Sequence, residues 1–412
     1  MSDDEHDTPE LHVFRLAARA WLAGAMKPLV RSANGAFRGQ DDSEPYEFRL
    51  ARARNMQRSL YDAGYAGLTY PKEYGGGGVQ LEYERVFFQE SKAFEMPTAF
   101  FAVSLNILGK TLLAYGTEEQ KREHLPNMLR GDEIWIQLLS EPSGGSDLAG
   151  LTTRALRDGD SYLLNGQKCW STGAQFADYA LCPARTDWDA PKHKGISMFI
   201  VGLRQPGVEV RSIKQMNGEA DFCEEFLTDV PVPVRNLVGR ENDGWSITRG
   251  LLEIEHEWVG RSGGGYAPPT DVDDLIAAIH RRGLVGDAGV RRAVADIYVI
   301  QAVNRALAAR VNRGMAAGVF NSGYGSLLKL GNDLVRQRRA ELALDLAGSS
   351  GVAWRPGAGE SDCVPIYLRS RSASIAGGTS EIQRNNISER ALGLPREPAF
   401  DRDVPFNQVE KN

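Results

Sequence analysis

The feature that most constrains this chain is a double change of texture along its length, from helical periodicity to strand alternation and back. Before residue 134, apolar residues recur at three-to-four spacing, as Phe14, Ala17, Ala18, Trp21 and Leu22 do, which predicts amphipathic helices. Breaks fall at Tyr70-Pro71, at the glycines of 75–78 and at Glu95-Met96-Pro97. Thr117 with Gln120 predicts a capping box. From Ile134 the runs shorten, and 134–139, 161–164, 196–201 and 208–213 read as strands between turn signals. Asp158-Gly159-Asp160 and Asn165-Gly166 read as hairpin turns, the second being the stronger cue. The β character ends at Val230-Pro231-Val232-Pro233. Helical spacing then resumes over 244–261, 290–315, 326–346 and 380–392, with 263–269 and 321–325 as loops. The expected fold is mostly α with a central β domain: helices over 1–133, a β-barrel-like domain over 134–233, and a C-terminal four-helix bundle over 234–412.

Composition limits what such a chain does. Its 412 residues suffice for two or three domains, and 42% hydrophobic with 25% charged residues is ordinary globular usage. A net charge of -6 leaves no basic footprint for nucleic acid. Apolar runs are too short to cross a bilayer. The opening MSDDEHDTPE lacks the layout of a secretory signal and reads as a solvated tail. Four scattered cysteines without a CxxC pair, and six histidines without an HExxH cluster, give a metal site no support. A reduced cytoplasmic protein is expected.

Three segments carry chemistry. Ser140-Glu141-Pro142-Ser143-Gly144-Gly145-Ser146-Asp147 follows a strand. Its small residues would let backbone N–H groups meet a pyrophosphate, with Ser146 adding a hydroxyl; read blandly, it is a glycine-rich turn. Asn165-Gly166-Gln167-Lys168-Cys169-Trp170-Ser171-Thr172-Gly173-Ala174 reads as a hairpin whose aromatic could stack on a ring and whose hydroxyls could bond its edge; an ordinary hairpin with a packed tryptophan is the alternative. Ile375-Ala376-Gly377-Gly378-Thr379-Ser380-Glu381-Ile382-Gln383-Arg384-Asn385 opens a helix. Its first-turn N–H groups suit a phosphate-bearing ligand or a well-capped structural helix.

Together these segments resemble the acyl-CoA dehydrogenase family, which writes them LTEPxAGSD, KxWxTxGxxAD and GTSEIQRN. Here they stand as LSEPSGGSD, KCWSTGAQFAD and GGTSEIQRN, in the same order. Pro71-Lys72-Glu73-Tyr74-Gly75-Gly76 is similar to the family's PxEYGG turn. Asn236-Leu237-Val238-Gly239 with Asn242-Asp243-Gly244-Trp245 resembles its passage into the C-terminal helices. The resemblance implies FAD between the β domain and the bundle. Gln137, Leu139, Ser140, Ser146, Trp170 and Thr172 would form one wall, with Thr379 and Glu381 on the other. It also implies a homodimer or tetramer, with a heteromeric assembly as the alternative, and an electron-transferring flavoprotein as electron acceptor. One stretch departs from the family: Arg281-Arg282-Gly283-Leu284-Val285-Gly286 lacks the Phe-Gly pair that accompanies a phosphate-reaching arginine.

The implied reaction is α,β-dehydrogenation of an acyl-CoA thioester. A carboxylate takes the α-proton, the β-hydride passes to flavin, and donors hold the thioester oxygen. A common form of the family carries its glutamate just before the C-terminal Gly-Thr. Gly377 stands there in this chain, leaving only its backbone N–H as an oxygen donor. Isovaleryl- and long-chain-type members place the base on the first long C-terminal helix, which corresponds to Glu255. Helix geometry supports that position. At about 100° per residue Glu253 and Glu257 share a polar face with Arg249 and His256, while Glu255 falls among Leu251, Leu252, Trp258 and Val259. A carboxylate on an apolar stripe is functional or paired with a neighbouring helix. Two other readings stand beside this one: a non-catalytic or FAD-sharing subunit of a heteromeric enzyme, and a flavin oxidase or monooxygenase on the same fold.

Overall fold

The computed structural model describes residues 7–29, 45–262, 272–354, 363–399 and 401–409. The acidic stretch up to His6, the loop at 263–269 and the side chain of Val259 lie outside the described residues.

The first helices are α1 (Pro9–Ala25), α2 (Tyr46–Asp62), α3 (Leu81–Ser91), α4 (Thr98–Val103), α5 (Gly109–Tyr115) and α6 (Glu118–Arg130). Thr8 caps α1 through the N–H of Leu11. Thr117 and Gln120 make the reciprocal capping box on α6. The apolar stripe of α1 differs from its reading. Ala17 is exposed, and Arg15 takes a core position because Asp7 and Glu90 pair its guanidinium. Between α4 and α5, residues 104–108 form a π-helix whose Ser104 hydroxyl exchanges bonds with the backbone of Trp135 (2.9 and 2.7 Å).

The strands are β1 (Trp135–Gln137), β2 (Arg154–Asp158), β3 (Ser161–Thr172), β4 (Tyr179–Arg185), β5 (Ile196–Gly202), β6 (Val208–Ile213), β7 (Phe222–Pro233) and β8 (Leu237–Val238). They pair in the order β6-β7-β3-β2-β4-β5-β8, with β1 parallel to β4. Asp158-Gly159-Asp160 is the turn between β2 and β3. Asn165-Gly166 is not a turn. It lies inside β3, where the ladder with β7 shifts register. Two side-chain facts explain the difference. Asn165 bonds the backbone and carboxylate of Asp229 across the sheet (3.0 and 2.9 Å). A Cβ on Gly166 would stand 2.5 Å from the Thr153 hydroxyl, so its glycine serves a close approach of chains.

The chain then enters α7 (Gly244–Ser262), α8 (Val272–Arg281), α9 (Ala288–Ala316), α10 (Gly325–Ala347), α11 (Ser349–Val352), α12 (Cys363–Ser370) and α13 (Ser380–Asn386), after which 387–391 forms a π-helix. Gly244 begins α7 hard against β5, for a Cβ there would lie 2.5 Å from the backbone of Ser197. Ile247 and Leu251 of α7 share a buried cluster with Leu108, Leu112, Trp135, Met198 and Ile200. That cluster ties the three regions together and fixes α7 over β5 and the π-helix of 104–108. A second, separate core of Leu275, Ile279, Ile297, Leu342 and Leu346 holds the C-terminal helices.

Candidate functional site

Glu255 lies on α7 at the edge of that shared cluster. Its carboxylate accepts a hydrogen bond from Gln137 Nε2 of β1 at 3.1 Å. Burial pushes its pKa up, opposed by the Gln137 donor and the charge of His256. Glu253 and Glu257 are exposed, and Glu253 stands 4.0 Å from Arg249, as helical geometry required. His256 is exposed. The Gln137 amide oxygen is buried without a partner among the described residues. One end of this amide therefore holds the carboxylate, while the other could accept from a ligand donor.

Beyond β1, Leu139 is half-buried against the shared cluster, and the chain enters the loop of 140–147. This loop is anchored by Glu141, which is buried and receives the Thr152 N–H (2.7 Å), the Thr152 hydroxyl (2.8 Å) and the Thr153 N–H (2.9 Å). Lys168 of β3, fully buried, reaches the same carboxylate at 3.0 Å and the carbonyls of Leu139 and Pro183 at 3.3 and 3.0 Å. Burial alone would raise the Glu141 pKa, but Lys168 and the threonine donors reverse that and hold it at about 2. Glu141 is thus a strut and not a ligand. Pinned behind by Glu141, the loop leaves Gly145, Ser146 and Asp147 exposed and Ser140 half-buried.

Lys168 lies two residues before a second feature. The β3–β7 ladder shifts between Cys169 and Ser171, and the intervening Trp170 adopts φ 67° with 59% of its surface exposed. A left-handed aromatic residue is a costly backbone state. It turns a large ring outward where a ligand could stack on it. Ser171 bonds Glu225 inside the sheet, and Thr172 is half-buried at the end of β3. Burial raises the Glu225 pKa to about 7, against the opposing pull of Ser171 and Lys168.

The C-terminal wall is built differently. Thr379 caps α13 by accepting the Ile382 N–H at 3.2 Å. Gly377 and Gly378 have φ 66° and 86°. The Gly377 carbonyl is held by Gln383 Nε2 at 2.7 Å, while its Cα faces open space. Glu381 is exposed, its pKa lowered by its own backbone N–H and the Thr379 hydroxyl. The wall is carried by α10, where Lys329 pairs with Asp333 (2.6 Å) and donates to the Ala373 carbonyl (2.8 Å). It is tied to the β domain through Arg369 of α12, which reaches Glu219 at 2.6 Å and Asp221 at 3.1 Å. Asp221 in turn accepts the Gly173 N–H through its carbonyl, next to Thr172.

Sequence reading singled out Glu255 and the motif segments, and the structure joins Glu255 to Gln137. The same reading missed Glu141–Lys168, Glu225 and the Arg369 link, whose partners lie far apart in the chain. The departure at 281–286 ends α8 with a left-handed Gly283, and Arg282 bonds the Leu346 carbonyl.

A carboxylate of raised pKa on α7 meets β1 through Gln137, an outward aromatic stands on β3, and the C-terminal wall is joined to the β domain through Arg369. Around these groups the chain is built as helices, a β domain and further helices. Models of the acyl-CoA dehydrogenase N-terminal, middle and C-terminal domains match residues 8–132, 137–230 and 242–392. The chain is 33% identical over 388 residues to acyl-CoA dehydrogenase IpdE1 of Mycobacterium tuberculosis, covering 94% of this chain and 99% of that one. It is 33% identical to acyl-CoA dehydrogenase FadE29 of the same organism, covering 95% and 98%. Among solved structures, the steroid ACAD Tcur3481-Tcur3483 superposes with a TM-score of 0.76 at 29% identity, covering 95% of this chain and 99% of that one. The ChsE4-ChsE5 complex of Mycobacterium tuberculosis gives a TM-score of 0.71 at 26% identity, covering 95% and 100%. This chain belongs to the acyl-CoA dehydrogenase family and is an acyl-CoA dehydrogenase by that membership. No helix among the described residues is long and apolar enough to cross a membrane.

Proposed function

We propose that the chain binds FAD between its two walls and uses Glu255 as the base that removes the α-proton of an acyl-CoA. The Gln137–Glu255 hydrogen bond carries this reading, because it aims a carboxylate of raised pKa at the strand that begins the cofactor wall. The unpartnered Gln137 oxygen, the outward Trp170 ring and the open cradle at Gly377 fit a flavin. Gln137, Leu139, Ser140, Trp170 and Thr172 would hold its ring side and Ser146 its pyrophosphate. Thr379 and Glu381 would close it from the bundle.

FAD, when bound, would supply the hydride-accepting chemistry, and Glu255 would take the α-proton of the substrate. Glu255 must be ionised to act, and its raised pKa makes it a stronger base once it is. Gln137 holds the carboxylate in place by donating to one oxygen. The Gly377 N–H would hold the thioester oxygen where enolate charge develops.

Acyl-CoA binding has its own support. A pocket of about 600 Å³ lies where α7, the loop after β4 and the C-terminal residues meet. Lys194, Arg249, Arg390, Arg396 and Arg402 line it against Glu253 and Asp403, with Trp245 as an aromatic floor. Such an excess of cations suits the phosphates of CoA, and an indole face suits its adenine. On α9, the exposed Tyr298, Val299 and Val303 form an apolar stripe that favours assembly with a second chain, alike or related. Electrons would leave to an electron-transferring flavoprotein. The steroid ACAD and the ChsE4-ChsE5 complex make bulky ring-bearing acyl groups and a heteromeric assembly the first alternatives to try.

The test is anaerobic bleaching of bound FAD by a panel of straight-chain, branched and ring-bearing acyl-CoAs, with Glu255→Gln alongside. The variant is expected to bind FAD normally and bleach at least about 100-fold more slowly, the scale of a lost general base. Parent-rate bleaching would remove Glu255 from the mechanism. The absence of a carboxylate at Gly377 sustains one second reading, a subunit that holds FAD for a related catalytic partner. It predicts bleaching only when that partner is added.

A further inference from the structure

The last described residues, 401–409, return from the bundle and lie along the loop between β4 and β5. Pro405 bridges Pro191 in antiparallel fashion. The Phe406 N–H donates to the Ala190 carbonyl and the Asn407 N–H to the Trp188 carbonyl, both at 3.0 Å. The Asn407 side chain adds a bond to Asp189 at 2.6 Å.

At the centre of this strap is an unusual seat. Arg185 of β4 is fully buried. Its guanidinium donates to the carbonyls of Ala149 (2.7 Å), Lys192 (3.1 Å) and Leu151 (3.2 Å), and its remaining face lies 3.4 Å from the centroid of the buried Phe406 ring. A buried cation covered by an aromatic face is a strong docking contact, since the ring replaces the water the cation gave up. Lys192 makes the second attachment. It pairs with Asp401 of the strap at 2.8 Å and with Asp147 of the loop 140–147 at 3.2 Å.

Held at Asp401 and at Phe406, the strap has little freedom between them. Of the four residues so fixed, Arg402 and Asp403 line the basic pocket together with Arg249 and Trp245 of α7. We propose that the C-terminal strap is the outer wall of the CoA mouth, with Arg402 as a phosphate-binding residue and Phe406, seated on Arg185, as the positioning residue that holds it there. The proposal rests on reading the pocket as the site of the CoA phosphates. It adds that a segment beyond the three family-matched regions completes that site. Through Lys192 the same strap touches the loop assigned to the cofactor pyrophosphate, so cofactor wall and substrate mouth share one brace.

The experiment is titration calorimetry of the FAD-loaded protein with CoA, for the wild type, Phe406→Ala, Phe406→Tyr and Arg402→Gln. FAD content, and acyl-CoA KM and kcat, are measured on the same samples. Phe406→Ala and Arg402→Gln are each expected to raise the Kd for CoA by about three- to tenfold, the scale of one phosphate ion pair. Phe406→Tyr keeps a ring on Arg185 and is expected to bind as the wild type does. Phe406→Ala should raise KM and leave kcat in place, a split that general loosening of the fold would not give. Should Phe406→Ala fail to fold, Arg402→Gln decides alone, since Arg402 is exposed and bears on no core. Wild-type CoA affinity in Arg402→Gln would overturn the strap while leaving the pocket assignment intact. Failure of the wild type to bind CoA would overturn both.

Discussion

Replacing Lys168 by methionine keeps the length of the side chain and removes its charge, leaving Glu141 buried with two backbone donors and one hydroxyl. In the native chain the pair is almost wholly dry, at 0% and 3% side-chain exposure, with nitrogen and oxygen 3.0 Å apart. Removing one member of a buried ion pair strands the other, at a cost of about 3–5 kcal/mol. The native pKa of Glu141 gives a second, independent figure. Its fall from 4.5 to about 2 corresponds to about 3 kcal/mol of stability. The folded pKa lies below the unfolded one, so this contribution is complete above pH 4.5 and disappears as pH falls toward 2. Urea unfolding at pH 7 should therefore show Lys168→Met less stable by about 3 kcal/mol or more. The deficit should shrink on acidification below pH 4.5, where the native pair loses its advantage. Lys168→Met with Glu141→Leu should recover much of the loss, because no charge is then stranded. A deficit under about 1 kcal/mol, or one that is the same at pH 7 and pH 3.5, would refute the view that this pair holds the loop of 140–147.

Glu225 should give the opposite pH signature in a different window: its pKa is raised to about 7, so the native state keeps a proton that the unfolded chain loses from pH 4.5 upward. Stability from this site should fall by about 3 kcal/mol between pH 4.5 and 8, and Glu225→Gln, measured by the same unfolding series, should abolish that slope. Gly166→Ala should destabilise the β domain by about 1–3 kcal/mol, because the new methyl overlaps Thr153; a change within error by urea unfolding would contradict the close approach. Trp170→Ala should leave the cofactor-free protein's stability within about 0.5 kcal/mol, since the ring is mostly exposed. Its Kd for FAD, followed by flavin fluorescence, should rise about tenfold if the indole stacks on the flavin.

Much of the candidate site was legible in the sequence for a local reason. The helix–sheet–helix order follows from periodicities that neighbouring residues impose on each other. Glu255 could be separated from Glu253 and Glu257 because a helix has a fixed angle per residue, and that angle needs no tertiary contact. The capping box at Thr117 and Gln120 was legible on the same terms.

The misreadings came where a distant segment outweighed a local preference. Asn165-Gly166 has the composition of a tight turn, yet Thr153 and Asp229 draw it into a continuous strand. Arg15 sits where periodicity expects an apolar residue, since Asp7 and Glu90 satisfy its charge in the core.

By itself, the sequence determined the helix–sheet–helix order, the polar and apolar sides of the helix that carries Glu255, and the capping of α6. Only the tertiary structure decided how the motif segments are held. Lys168 finds Glu141 from a facing strand, Arg369 joins the bundle to the hairpin beside Thr172, and Phe406 crosses back onto Arg185. These are pairings of charge and burial between residues far apart in the chain. Backbone propensity acts over a few residues and cannot specify them, whereas a charge carried into a dry interior must find its partner wherever the fold brings one.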